Sequence, residues 1–159
     1  MIEIRVLGPD DWRAWRELRL AALDEAPDAF TARLADWQGD GDDEQRWRGR
    51  LSGVPHNVVA ELDGRPAGMV SGLLPDGGPV ELISMWVAPF ARGRGVGDAL
   101  VGSVAGWAAA HGTGEVVLRV REANPAAIAL YARHGFVDRG PVQGQPGEPT
   151  ERWMLRVPE

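Results

Sequence analysis

A glycine-rich segment with two arginines has the residue types and the position of an anion-binding loop. Positions 87 to 98 read VAPFARGRGVGD, between an apolar run that suits a strand and a run that suits a helix. The free N–H groups and partial positive charge of a helix N-terminus attract anions. Glycine lets a ligand approach the backbone closely, and Arg92 and Arg94 add positive charge. The segment therefore predicts a site for a pyrophosphate.

Other glycine loops that bind phosphates do not fit this segment. A dinucleotide fingerprint that begins at Gly93 needs glycine or alanine where Asp98 stands. A P-loop ends in Gly-Lys followed by Ser or Thr, and the chain contains no such ending. A helix start that is rich in glycine and arginine without binding a ligand is the structural alternative.

A second segment pairs an amide with the only tyrosine of the chain. Positions 124 to 136 read NPAAIALYARHGF. Asn124 suits a helix cap and Pro125 suits the first helical position. Tyr131 follows Asn124 by two helical turns, so both side chains share one face of this helix. The Tyr131 phenol is a proton donor with an ordinary pKa of about 10. A core tyrosine whose hydroxyl bonds to the backbone would show the same spacing.

These two motifs together resemble those of the GNAT family of N-acetyltransferases. The first is Arg92-x-x-Gly95-x-Gly97 between a strand and a helix, and the second is Asn124-x-x-Ala-x-x-x-Tyr131 before Gly-Phe. The predicted order of strands and helices agrees over nearly the whole chain, and the N-terminal third agrees in outline. The resemblance implies one domain over residues 1–159, acetyl-CoA as cosubstrate, and direct attack by an amine within a ternary complex.

The resemblance also implies roles for individual residues. Tyr131 would lie beside the CoA sulfur as the catalytic proton donor to the departing thiolate, and Asn124 would contact the cofactor. Glu81, counted back from Arg92, matches the position where some members place a catalytic glutamate that acts through water. Other members use different residues or none, so Glu81 and water alone both remain open as the base.

The strand before the glycine loop would hold the pantetheine arm through its backbone, and one of its N–H groups would polarise the thioester carbonyl. In the family this strand splays from the next one, and the cofactor fills the gap. The cofactor-binding residues implied are Met85, Trp86, Val87, Arg92, Gly93, Arg94, Gly95, Val96, Gly97, Asp98, Asn124 and Tyr131.

The elements that must position these residues follow from hydrophobic periodicity and turn signals. Asp63-Gly64 predicts a tight hairpin, and Asp10 or Asp11 is expected to cap a helix that stops at Pro27. Strands are predicted at 2–6, 57–62, 65–74, 80–87, 115–120, 136–139 and 152–157, and helices at 12–25, within 28–52, at 95–111 and at 125–134. The fold expected is α+β, a GNAT-like mixed, mostly antiparallel sheet of about six or seven strands with about four helices.

Composition excludes several classes of function. The 159 residues, 44% hydrophobic and 25% charged, suit a soluble globular protein. A net charge of −6 opposes nucleic-acid binding and mildly attracts cationic small molecules. Zero cysteines exclude a cysteinyl intermediate. No serine lies in a Gly-x-Ser-x-Gly elbow and the three histidines lack zinc spacing, so neither a serine hydrolase nor a metal site is expected.

The expected partner is a small-molecule or peptide amine. A charged, alternating N-terminus and the lack of an apolar run of about 20 residues predict a cytoplasmic protein without a membrane partner. Because the first two helices border the acceptor site in the family, Phe30, Trp37 and Trp47 draw attention there, and Arg19 does so less strongly. The acidic stretch 36–44 is expected to be a solvated loop, or else to rim the acceptor pocket. Many relatives are dimers, so the resemblance allows a homodimer.

Two other functions stay open beside the N-acetyltransferase. A domain of the same fold could bind or sense acyl-CoA with little turnover. An interaction module could use the glycine loop for a different phosphate ligand. Turnover separates the first from an enzyme, and stabilisation by CoA separates the second.

Overall fold

One mixed sheet carries helices on both faces in the computed structural model, which describes residues 1–76 and 78–158. The described strands are β1 (Ile2–Val6), β2 (His56–Leu62), β3 (Arg65–Leu73), β4 (Val80–Val87), β5 (Val116–Arg121), β6 (Val137–Pro141) and β7 (Glu151–Arg156), and the α-helices are α1 (Trp12–Glu25), α2 (Glu44–Gly53), α3 (Val96–His111) and α4 (Pro125–Arg133). The strand order is β1-β2-β3-β4-β5-β7-β6, with β4 and β5 as the parallel neighbours among antiparallel ones. This confirms the predicted α+β class.

The predicted hairpin joins β2 and β3. Asp63 has φ 51° and Gly64 has φ 83°, so both central residues adopt the left-handed conformation. A two-residue turn of this kind matches the twist of the flanking strands. The hairpin therefore fixes the register of β2 against β3, and β4 pairs with the other edge of β3.

The predicted helix cap is different in the structure. Asp11 precedes α1, but its carboxylate accepts a hydrogen bond from the Gly8 N–H at 2.9 Å and caps no N–H of α1. The proline at position 27 follows the end of α1, as expected. Beyond it the chain forms short 3-10 turns until α2, where the Asp43 carboxylate accepts from the Arg46 N–H at 3.1 Å. The helix predicted within 28–52 is thus confined to its last third.

The two faces of the sheet bury separate cores. Helix α3 packs on one face through Val96, Leu100, Val104 and Ala108, all of which are buried. Helices α1 and α2 cover the other face through a second cluster that includes Trp15 and Trp47, both fully buried. The sheet is therefore held from both sides, and any opening between its strands connects the two layers of helices.

The acidic stretch before α2 is more than a solvated loop, because Asp42 holds three groups together. Its carboxylate accepts from Arg16 Nε of α1 at 2.7 Å and from Trp47 Nε1 of α2 at 2.8 Å. Trp47 in turn lies against Trp37, with ring centroids 4.5 Å apart. The expectation of a solvated loop is wrong for Asp42, although Asp40 is exposed as expected.

Asp42→Asn is expected to weaken the protein chiefly at neutral pH. Hydrogen bonds from Arg16 and then from Trp47 lower the pKa of Asp42 from 3.8 to about 2. Because the folded pKa is depressed, this carboxylate stabilises the fold above about pH 4 and loses that contribution as pH falls toward 2. Denaturant titrations between pH 7 and about pH 2 should show a smaller loss of stability with acid in the variant than in the wild type. Asp40→Asn is the control, and an equal pH dependence in Asp42→Asn and the wild type would contradict this role.

Candidate active site

Strands β4 and β5 separate after two residue pairs, and the split opens the sheet at its centre. The parallel ladder contains only Val80 opposite Val116 and Glu81 opposite Val117. From Leu82 onward the edge of β4 that faces β5 has no strand beside it, while β5 pairs with β7 on its other edge. Unpaired backbone N–H and C=O groups need hydrogen-bond partners, which an extended ligand can supply.

A bulge at Ser84 turns β4 where the split widens. Ser84 has φ 58°, a left-handed conformation that is uncommon outside glycine. Between the pairs Ser71–Ile83 and Met69–Trp86, β3 advances by two residues and β4 by three. The extra residue re-aims the strand, so that Trp86 packs in the core beneath α1 and α2.

A cavity of about 680 Å³ fills the split. On the side of α3 and α4 its wall is formed by the glycine loop and by the face of α4 that carries Asn124 and Tyr131. On the side of α1 its wall includes Glu25, Phe30 and the β5 side chains Arg119 and Arg121. The predicted site residues that line it are Met85, Trp86, Val87, Arg92, Gly93, Gly95, Gly97, Asp98, Asn124 and Tyr131.

The glycine loop adopts backbone angles that glycine alone tolerates readily. Gly93 has φ 77°, and Gly95, with φ 89°, is the residue before the first turn of α3. A Cβ atom on Gly97 would come within 3.1 Å of Leu130 Cδ2, so this glycine allows α3 to approach α4. The loop therefore places the N-terminus of α3 at the cavity wall, which Gly93, Gly95 and Gly97 line.

Three of the predicted site residues lie elsewhere. Val96 is buried in the core beneath α3, and Arg94 is exposed outside the cavity. Glu81 does not line the cavity either, and its Oε2 lies 3.6 Å from Arg119 Nε. Glu81 thus stands at the closed end of the split, beside a cationic group.

Arg92 and Asp98 each have a protein partner at the cavity wall. Arg92 Nε donates to the Val87 carbonyl at 3.1 Å, and its guanidinium pairs with Glu25. Asp98 accepts from His134 Nε2 at 2.8 Å and from Arg133 Nη2 at 2.9 Å, and these two bonds lower the pKa of Asp98. Asp98 thereby ties the first turn of α3 to the end of α4.

Asn124 and Tyr131 occupy the same wall, as their spacing predicts. The Asn124 Oδ1 accepts from the Ala127 N–H at 3.2 Å, which caps α4 and leaves the amide NH₂ group for another partner. Tyr131 is 5% exposed, and its ring lies 5.7 Å from that of Phe136. No hydrogen bond between described residues uses its hydroxyl. Burial raises the pKa of Tyr131 far above its ordinary value, so the phenol stays protonated and can donate.

Several cavity features were missed from the sequence. The bulge at Ser84 could not be predicted, because serine is not a residue type that signals a β-bulge. Arg119 and Arg121 alternate with buried Leu118 and Val120 in β5, which is typical of any half-exposed strand. Phe30 was noticed only through the resemblance, and it does line the cavity. Which alternate residues of β5 face a cavity depends on the split itself.

Across 1–76 and 78–158, no helix is long and apolar enough to cross a bilayer. In the same part of the chain, no group of three His, Asp or Glu side chains could hold a metal ion.

Comparison with known proteins adds a family and a fold. The model of the acetyltransferase (GNAT) family matches residues 12–136. An L-2,4-diaminobutyric acid acetyltransferase of Nocardia farcinica is 40% identical over 78 residues, which are 47% of this chain and 40% of that protein. The match therefore spans less than half of that relative's length.

Solved structures share the architecture at low identity. A GNAT-family acetyltransferase from Streptococcus pneumoniae superposes with a TM-score of 0.78 at 20% identity and full coverage of both chains, 100% each. The PaiA N-acetyltransferase from Thermoplasma acidophilum, in complex with coenzyme A, gives a TM-score of 0.71 at 16% identity over 99% of both chains. At these identities the similarity shows the fold.

Proposed function

Because the chain belongs to the acetyltransferase (GNAT) family, we propose that it transfers an acetyl group from acetyl-CoA to an amine of a small molecule or peptide. The observation that carries this proposal is the split between β4 and β5, with its cavity bordered by the glycine loop and by Tyr131. A binding module without turnover would not need a buried proton donor on the wall of the cavity.

The residues around the split fit acetyl-CoA. The open edge of β4 offers backbone groups for an extended pantetheine arm, and the N-terminus of the 16-residue α3 suits its pyrophosphate. We propose that Met85, Trp86 and Val87 hold the arm through their backbone, and that Gly93, Gly95 and Gly97 admit the phosphates. Bound acetyl-CoA supplies the thioester, and the chain supplies the rest of the chemistry.

Two groups of the chain serve the transfer itself. Tyr131 keeps its proton in a desolvated setting and donates it to the sulfur as the thiolate departs. An N–H of the open β4 edge polarises the carbonyl where negative charge develops. Glu81 lies outside the cavity wall beside Arg119, so its part as base would run through water, with water alone as the alternative.

We propose one domain over residues 1–159, a cytoplasmic location, an acceptor that is neither nucleic acid nor membrane, and a homodimer. The net charge of −6 supports the exclusion of nucleic acid. Sedimentation of the purified chain at several concentrations tests the dimer.

Thermal-shift titration with acetyl-CoA, followed by thiol release against a panel of amines, tests the proposed function. A ligand that binds the native state raises its melting temperature, and acceptor-dependent release of CoA shows the transfer. A shift without release over the panel would favour the acyl-CoA-binding alternative. No shift at near-millimolar acetyl-CoA would contradict the assignment of the glycine loop.

Arg92→Ala is expected to raise the Kd of acetyl-CoA by about tenfold, because a hydrogen bond to a charged group contributes about 1.5–3 kcal/mol. Isothermal titration measures this directly. Glu25→Gln is the matched variant: it releases Arg92 from its pairing with Glu25 and should tighten binding. An unchanged Kd in Arg92→Ala would place the phosphates elsewhere.

A further inference from the structure

Three arginines meet on the α1 and α2 side of the cavity, and we name Arg19, Arg50 and Arg121 the arginine cluster. The guanidinium of Arg19 lies 4.8 Å from the centroid of the Phe30 ring, and Arg121 Nη2 donates to the Phe30 carbonyl at 3.3 Å. Arg50 Nη2 donates to Ser84 Oγ at 3.2 Å. Phe30, Ser84 and Arg121 line the cavity, and Arg19 and Arg50 stand behind Phe30 and Ser84, outside its lining.

Among the described residues, no carboxylate pairs with the positive charge of the arginine cluster. Within residues 1–76 and 78–158, no ion pair shorter than 4.0 Å involves any of the three. Arg19 Nη1 and Arg121 Nε are buried with no hydrogen-bond partner among the described residues. Buried charge is costly unless it is paired, so this arrangement indicates an anion that comes from outside the chain.

Desolvation acts on the cluster directly. Burial lowers the pKa of Arg19 to about 10. Burial and then repulsion from Arg19 lower the pKa of Arg50 to about 10 as well. Both pKa values fall because burial, and for Arg50 also repulsion, disfavours the charged guanidinium. An anion bound at the cluster would stabilise that charge. The neutral partners that Arg50 does have, Asn57 and Ser71, orient its guanidinium without neutralising it.

The acidic side chains of the cavity wall are already engaged. Glu25 pairs with Arg92, and Asp98 accepts from Arg133 and His134. Their carboxylates therefore pair with cationic groups other than the arginine cluster. The cavity thus combines a glycine loop suited to acetyl-CoA with unbalanced arginine charge suited to a second, anionic group.

We propose that the acceptor amine carries a carboxylate, as a small amino acid does, and that Arg121 and Ser84 bind this carboxylate with Arg50 and Arg19 behind them. The proposal rests on the proposed acetyltransferase function and names its substrate class. The planar guanidinium matches a carboxylate in two-point geometry, which an acceptor without a carboxylate could not use. A bound carboxylate would fix the acceptor within the cavity while its amine remains free to react.

Matched acceptor pairs test this proposal. L-lysine and L-ornithine are compared with cadaverine and putrescine, which lack only the carboxylate. We expect kcat/KM to be at least tenfold higher for the amino acid of the better pair. Arg121→Gln should raise the KM of the amino acid at least tenfold, leave that of the diamine within about twofold, and remove the preference. Arg121→Lys keeps the positive charge and should restore part of the preference for the amino acid. Arg13→Gln, at an exposed site of α1, is the control.

A binding measurement separates this proposal from the proposed function. In the presence of CoA, 10 mM lysine or ornithine should raise the melting temperature of the wild type more than the diamines do, and Arg121→Gln should lose that difference. Diamines acetylated as well as the amino acids would overturn the carboxylate proposal while leaving the acetyltransferase intact. Stabilisation by the amino acids without acetylation would leave the carboxylate site intact and contradict the transfer. A weaker Kd for CoA itself in Arg121→Gln would mean that the cluster binds a phosphate of CoA, which also overturns the proposal.

Discussion

Tyr131→Phe will lower kcat by about 10²-fold or more while the Kd of acetyl-CoA stays within about threefold. The substitution keeps the ring that packs against Phe136 and removes only the hydroxyl, which has no hydrogen-bond partner among the described residues. Burial holds that phenol in its protonated form. A departing thiolate without a donor must carry its charge in a desolvated cavity, so the loss falls on the transfer step.

Steady-state thiol release and isothermal titration with acetyl-CoA measure the two quantities separately. Phe136→Leu is the control for packing, since Phe136 is buried beside Tyr131. The control should lower the melting temperature more than Tyr131→Phe does and change kcat less. Turnover in Tyr131→Phe within threefold of the wild type would remove the hydroxyl from the mechanism.

The elements with local signals could be predicted from the sequence. Asp63-Gly64 takes the left-handed angles that its turn type needs, and Asn124 caps the helix that it precedes. Gly95 likewise has a positive φ at the start of α3. In each case the conformation depends on a few neighbouring residues, so the sequence pattern carries the information. The face shared by Asn124 and Tyr131 follows from helical spacing alone.

Features that depend on distant partners could not be predicted. The bulge at Ser84 arises where β3 and β4 differ in register, and the Ser84 hydroxyl meets Arg50 from α2. Aspartate is usually exposed to solvent, and Asp42 has a structural role only because Arg16 of α1 and Trp47 of α2 come together around it. An arginine on a helix is ordinarily exposed, so Arg50 gave no sign of reaching Ser84 on β4. These arrangements are products of packing between elements that are far apart in the chain.

Gly95→Val will raise the Kd of acetyl-CoA by at least about 100-fold. Gly95 has φ 89°, where a β-branched residue is strongly disfavoured. A Cβ atom there would meet Ile2 Cδ1 at 3.5 Å, an ordinary contact, so backbone strain is the dominant cost. The loop should relax away from the angles that aim its N–H groups at a pyrophosphate. Losing two hydrogen bonds to a charged group would cost about 3 kcal/mol or more, which corresponds to that change in Kd.

Gly102→Val is the matched control for this prediction. Gly102 lies within α3, with open space around it and no positive φ, and valine has a smaller helix penalty than glycine. The control should bind acetyl-CoA as the wild type does and be at least as stable. Titration at 10 °C, with folding checked by circular dichroism, separates lost binding from lost stability. If Gly95→Val folds and binds acetyl-CoA with the Kd of the wild type, the phosphates do not bind at this loop. Strain at Gly95 would shift the backbone N–H groups that are proposed to bind them.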